Sequence, residues 1–287
     1  ITAASCVADL TAGAWTPVLG RLARWAGAAA LAASLLFIGD RLWRLDWSSL
    51  RPHLSVGFVC AVSGALLIFA IADRLLALAW ATTIDPYRTM PRRNLFGIYA
   101  RGVLLKYLPG SIFQYVSRQV EGAKQGLPHK RLAQSAGVEV GLHLVSSMTA
   151  AAAFLLFDRW PVVAALVAAV TGGVLLALRR SLISALVWQI AAFLLFGLAA
   201  ALVGGAIFPV GTSLQHFAAL FLLAWLAGFV APVAPGGIGV REAALLALAG
   251  SSIPAAASLA AVLALRVASI GGDLIFGTIT LARRSGQ

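Results

Sequence analysis

Apolar runs of bilayer-spanning length recur through this chain, and charged residues mark where they end. A helix needs about 20 predominantly apolar residues to cross the hydrocarbon layer. Segments 132–157, 182–207 and 255–282 reach that length, and 214–231 comes close to it. A single soluble core has no use for so much apolar sequence. Of the 287 residues, 61% are hydrophobic and 11% are charged, with a mean hydropathy of +0.92. A soluble domain carries roughly a quarter charged residues. The expected class is therefore an all-α polytopic membrane protein.

The formal net charge of +12 fits that class. Basic residues cluster at the ends of the apolar runs, at Arg21/Arg24, Arg92/Arg93, Lys130/Arg131, Arg179/Arg180 and Arg283/Arg284. Such placement orients helices with their basic connectors on the cytoplasmic side and favours anionic headgroups. No contiguous basic face with interleaved aromatics appears, so nucleic acid is not an expected partner.

Counting runs gives about seven or eight transmembrane helices. Segments 25–39 and 54–72 form the first two, the second ending at Asp73-Arg74, and a basic connector follows at 85–94. Spans at 132–157, 161–178, 182–207, 214–231 and 255–282 complete the set. Residues 1–20 read as a peripheral segment and 21–287 as one transmembrane domain. The chain begins at Ile1 rather than Met, which points to a missing or processed amino end, and residues 1–20 lack the layout of a signal peptide.

Two segments resist this scheme. Residues 95–117 are apolar yet contain Arg101, Lys106 and a central Pro109-Gly110; residues 232–250 contain Pro235-Gly236-Gly237 and then Arg241-Glu242. If the basic connectors at 85–93 and 118–131 lie on one side, segment 95–117 must begin and end there. Both segments are therefore expected to be re-entrant, each a broken helix. They also echo one another. Leu108-Pro109-Gly110-Ser111-Ile112 precedes Arg118, and Ala234-Pro235-Gly236-Gly237-Ile238 precedes Arg241. Either the chain holds an internal, inverted repeat with substrate between its halves, or a common Pro-Gly turn has recurred by chance.

Broken helices in lipid leave N–H and C=O groups that protein or water must satisfy. Glycines at 236, 237 and 239 let the backbone approach a ligand, and the helix opening near Val240 adds free N–H donors. Arg241 adds a guanidinium suited to phosphate. Arg241, Glu242, Gly236, Gly237, Gly239 and Pro235 are thus candidate substrate-binding residues. Arg118, Pro109, Gly110, Lys106 and Arg101 around the first break join them. The alternative is a turn that only shapes packing, with Arg241 paired to Glu242.

Four further ionisable residues fall inside apolar runs, where charge is expensive. Glu139 and His143 are one turn apart on a shared face, fit for a proton relay or a cationic headgroup; otherwise Glu139 lies near the water boundary or pairs with a basic residue from 95–131, and His143 makes an interhelical hydrogen bond. Arg266 and Asp273 share a face of the last span, with Gly271-Gly272 permitting close helix approach. They serve either a structural salt bridge or the substrate.

Catalytic patterns are missing from the sequence. It has no paired-carboxylate site, no nucleophile elbow and no zinc spacing, and its glycines at 236–239 do not fit a dinucleotide fingerprint. Cys6 and Cys60 imply no disulfide framework. No cofactor, metal or enzymatic reaction is expected.

The stretch Pro235-Gly236-Gly237-Ile238-Gly239-Val240-Arg241-Glu242 resembles the PGG-x-G-x-R-E segment of the lysylphosphatidylglycerol synthase transmembrane-region family, also called flippase-like. Lys106-Tyr107-Leu108-Pro109-Gly110 with Arg118 is similar to that family's first motif. The resemblance implies a multi-span fold in the bacterial inner membrane. It also implies transfer of a phosphate-containing lipid between leaflets, whether a phospholipid, an aminoacyl-phospholipid or a polyprenyl-linked lipid. In that family aminoacyl transfer belongs to a separate soluble domain, so it is not expected of this chain. Membrane lipids are the expected partners, with a second copy or a soluble lipid-modifying enzyme as further ones. A membrane subunit of a lipid-modifying synthase, a non-transporting scaffold and an ion-coupled carrier of small solutes are the other readings.

Overall fold

The computed structural model describes residues 55–107, 113–156, 161–177, 179–231, 237, 239–250 and 253–285. These residues form nine helices and no strand. In chain order they are α1 (Val56–Ile84), α2 (Arg92–Leu105), α3 (Phe113–Lys124), α4 (His129–Leu156), α5 (Pro161–Ala177), α6 (Arg180–Ile207), α7 (Leu214–Val230), α8 (Val240–Ala249) and α9 (Ala255–Ser285). Among the described residues, α1, α4, α6 and residues 256–283 of α9 are long and apolar enough to cross a membrane. They suit a helical membrane protein. The runs expected at 25–39 and the segment 1–20 lie outside the described residues.

Local chemistry explains where several helices start and stop. Ser55 caps α1 by accepting from the Phe58 N–H at 3.2 Å, and Ser213 caps α7 by accepting from the His216 N–H at 3.1 Å. Asp85 ends α1, where the following Pro86 disfavours a further helical residue.

The core is built on α1, which packs against α6 and α9. Phe69 and Phe196 meet edge-to-face with centroids 4.9 Å apart. Small residues bring the backbones together, as expected where lipid supplies no hydrophobic drive between helices. Gly271 and Gly272 of α9 sit directly on α1. A Cβ on Gly272 would lie 2.9 Å from both the Ala70 nitrogen and the Leu66 carbonyl oxygen. Facing outward are large apolar side chains, among them Val59, Leu67 and Ile71 on α1, Val162, Leu166 and Val170 on α5, and Val267 and Leu274 on α9. That surface matches a lipid solvent better than water.

Two boundaries differ from the sequence reading. Helix α1 does not stop at Asp73-Arg74 but runs on to Ile84. Both charges turn into the protein: Asp73 is buried in a cavity that α9 also lines, and Arg74 lies 3.9 Å from the centre of the Phe96 ring. The stretch 118–131 is not all connector either. Helix α3 carries Arg118 and ends at Lys124, and a turn with Gly126 at φ 84° leads into α4.

Candidate functional site

Most of the charged residues that fall inside the apolar runs, Arg74 and Arg101 excepted, line one cavity of about 100 Å³. By the same measure a single water needs roughly 10–15 Å³, so the space admits several waters or a small polar group. Helices α1, α2, α3, α4, α7, α8 and α9 all contribute to its wall. Residues from both unusual segments therefore share it: Lys106, Tyr107 and Arg118 from the first, Gly237, Arg241 and Glu242 from the second.

Close packing holds these segments. Helices α2 and α3 pack on each other, with Gly102 of α2 so near Arg118 that a Cβ there would lie 3.0 Å from its Nε. Helices α7 and α8 pack likewise. Gly237 has φ 71° and Gly239 φ 84°, a region that favours glycine. At Gly237 a Cβ would also strike the Gly228 carbonyl oxygen, 2.8 Å away. Gly239 then precedes α8, and its N–H donates to Glu242 Oε2 at 2.7 Å. This is one half of a capping box.

Three of the four Lys and Arg side chains on the wall are matched to carboxylates. Arg118 pairs with Glu139, both buried, and its guanidinium lies 4.0 Å from the Tyr99 ring centre and 5.6 Å from those of Trp80 and Tyr115. The Tyr99 hydroxyl donates to Glu139 at 3.2 Å. Lys106 reaches Asp273 at 2.8 Å, and the Tyr107 hydroxyl donates to the same carboxylate. Arg266 pairs with Glu242 at 3.1 Å.

The fourth is Arg241. Among the described residues no carboxylate pairs with it, because Glu242 is turned to Arg266 and to the Gly239 amide. Its Nε is buried without a hydrogen-bond partner. The guanidinium lies 5.0 Å from the Trp225 ring centre. Gly228 makes room for its stem, since a Cβ there would overlap Arg241 Cγ.

His143 lines the same cavity but faces away from Glu139 in its bonding. Its Nδ1–H donates to Gln189 Oε1 at 2.8 Å, and its ring stacks on Phe229 with centroids 5.1 Å apart. Arg101 is outside the cavity and pairs with Glu121 beside a groove between α2 and α3. Pro109, Gly110, Pro235 and Gly236 lie outside the described residues. Among the described residues no group of three His, Cys, Asp or Glu side chains is arranged to hold a metal ion.

Sequence reasoning missed Asp73, Gln189, Trp225 and the tyrosines at 99, 107 and 115. For Asp73 a signal existed: the apolar run resumes at Leu75 and continues to Ile84, so the charge sits mid-helix rather than at an end. Neither family models, curated proteins nor solved structures give a match to this chain.

Proposed function

We propose that this chain is a bacterial inner-membrane lipid transporter that holds a phosphate-bearing headgroup at Arg241 and passes it between leaflets. The carrying observation is the charge pattern of the cavity. Three of its cations are matched to carboxylates, and Arg241 lines the space with no carboxylate pairing to it among the described residues. A guanidinium in that state is a receptor for an oxyanion, which it can meet with two parallel hydrogen bonds. Gly237 lines the same cavity, and its missing Cβ lets the chain pass close to that guanidinium.

The finer topology belongs to this proposal: seven or eight crossings, with the segments 95–117 and 232–250 each a re-entrant broken helix. Lengths support it. The 14 residues of α2, 12 of α3 and 10 of α8 extend only about 21, 18 and 15 Å at 1.5 Å per residue. The hydrocarbon layer is about 30 Å thick. The resemblance of residues 235–242 to the flippase-like motif supports the same reading, and the cavity volume suits a headgroup whose tails remain in lipid.

The test is reconstitution in liposomes that contain fluorescent phosphatidylglycerol, with phosphatidylcholine and free inorganic phosphate as separate arms. Wild-type protein moves phosphatidylglycerol between leaflets, and Arg241→Gln slows this at least about tenfold, the equivalent of 1.4 kcal/mol. Equal rates for the two proteins would sink the Arg241 role. Movement of free phosphate without movement of lipid would replace the lipid carrier with a carrier of small anions.

A further inference from the structure

Asp73 and Asp273 are both buried, at 3% and 2% exposure, and their carboxyl groups meet across the contact between α1 and α9. Gly271 and Gly272 create this meeting, since they let α9 lie on α1 just before Asp273. The two acids differ in their partners. Asp273 accepts from Lys106 and from the Tyr107 hydroxyl. Asp73 lines the cavity with an Oδ2 that is buried and has no hydrogen-bond partner among the described residues.

A buried carboxylate oxygen without a donor is costly, and two ionised carboxylates in contact repel. One proton removes both costs: carried by Asp73, it is donated to Asp273 and the pair bears a single negative charge. Lys106 neutralises that charge. We infer that Asp73 and Asp273 form a proton-binding site whose occupancy sets how strongly Arg241 holds an anion in the shared cavity.

The surroundings leave this pair as the variable element. On α1, Arg74 points away to Phe96. From α2 and the turn after it come Tyr99, Lys106 and Tyr107, and from α3 come Tyr115 and Arg118; from α4 come Glu139, which is closed by Arg118, and His143, which is bonded to Gln189 and stacked on Phe229. Helix α6 presents Phe196 to the cavity. Helix α9 adds Arg266, paired with Glu242 of α8. Arg241 lines the same cavity as Tyr107 and Asp273.

With the proton held, the cavity carries one uncompensated positive charge, that of Arg241, and an anion binds. When the proton leaves to water, the second carboxylate charge offsets Arg241 and the anion is released. Linkage makes the effect reciprocal, so anion binding draws a proton in. This rests on the reading of Arg241 as the anion holder, and it adds a coupling ion to that reading.

Two measurements on the full chain in lipid nanodiscs separate the claims. Infrared difference spectra between acid and alkaline pH report a protonated buried carboxyl directly, with no lipid substrate involved. The wild type shows such a band and Asp73→Asn lacks it; a spectrum unchanged by the substitution overturns the inference. The second measurement is affinity for short-chain phosphatidylglycerol against pH. In the wild type it weakens as pH rises, with a slope approaching the limit of one decade per pH unit for a single linked proton. In Asp73→Asn, which keeps the Lys106–Asp273 pair and is checked for folding by its thermal melt, the profile is flat. Matching profiles for the two proteins overturn the inference even if lipid binds. A titrating carboxyl band with no phosphatidylglycerol binding at any pH overturns the lipid reading and the linkage, and leaves only the proton site.

Discussion

Arg118 of α3 and Glu139 of α4 close a buried ion pair, and the Tyr99 ring of α2 lies against the guanidinium. Three helices are thereby tied at one buried point. Removing one partner leaves the other charge buried and alone, which costs about 3–5 kcal/mol. Glu139→Ala is therefore expected to lower stability by that amount in detergent unfolding. Arg118→Met with Glu139→Leu is expected to recover much of the loss, because apolar groups need no partner. A single-variant loss under about 1 kcal/mol, the range of solvated surface pairs, contradicts the burial argument.

Gly228 and Arg241 give a second test, aimed at the receptor itself. An alanine Cβ at 228 overlaps Arg241 Cγ and lies 2.9 Å from its Nε. Overpacking of this kind costs about 1–3 kcal/mol. Relief by moving the flexible arginine stem would take the guanidinium off Trp225. Gly228→Ala is expected to weaken phosphatidylglycerol binding by at least about tenfold in calorimetry. Unaltered binding would mean that the guanidinium position is immaterial.

Glycines at helix contacts should separate sharply from glycines in open space. At Gly272 the obstacles to a Cβ include backbone atoms of α1, which cannot rotate away, so Gly272→Ala is expected to cost about 1–3 kcal/mol. Gly141 in α4 has nothing within 4 Å of an added Cβ. There Gly141→Ala is expected to be neutral or stabilising by up to about 1 kcal/mol from helix propensity. Parallel thermal melts decide it, and equal effects at both sites would refute the packing argument.

Asp85 predicts an acid-sensitive connector. Burial disfavours its charged form, but the Met90 and Thr89 amides and the Thr89 hydroxyl, at 2.8, 3.0 and 2.9 Å, outweigh that and hold its carboxyl below the ordinary range. A depressed folded-state value means the stabilisation is complete above the unfolded value of about 3.9. It is lost as pH falls through the lower folded value. Hydrogen-exchange protection of the Thr89 and Met90 amides should therefore hold down to about pH 4 and fall below it. Asp85→Asn should weaken it already at neutral pH. Protection that is the same in both proteins at neutral pH would remove Asp85 from this role.

Much of the fold was legible before any coordinates. The spans read at 132–157, 161–178, 182–207 and 214–231 lie within a few residues of α4, α5, α6 and α7. A run of apolar residues bounded by charges has few options in a bilayer, where backbone groups must bond within their own helix. The misreading at Asp73-Arg74 came from that same rule. A charge pair is a stop signal only when the protein has no place for it, and here the Phe96 ring meets Arg74 while Asp73 turns into the cavity that Lys106 also lines.

The site was legible in part. The intramembrane placement of Glu139, His143, Arg266 and Asp273 marked them as residues needing partners, because an isolated charge in hydrocarbon is prohibitive. Sequence spacing pairs residues only along one helix, so it joined Glu139 with His143 and Arg266 with Asp273. The structure takes the interhelical alternative for each: Glu139 joins Arg118, His143 joins Gln189, Arg266 joins Glu242 and Asp273 joins Lys106. Composition by itself thus determined that the chain is helical, apolar outside and charged within. Which charges cancel, and that Arg241 and Asp73 each keep an atom without a partner, was decided only by how the helices cross. Electrostatic pairing acts over a few ångströms of space, whatever the separation along the chain.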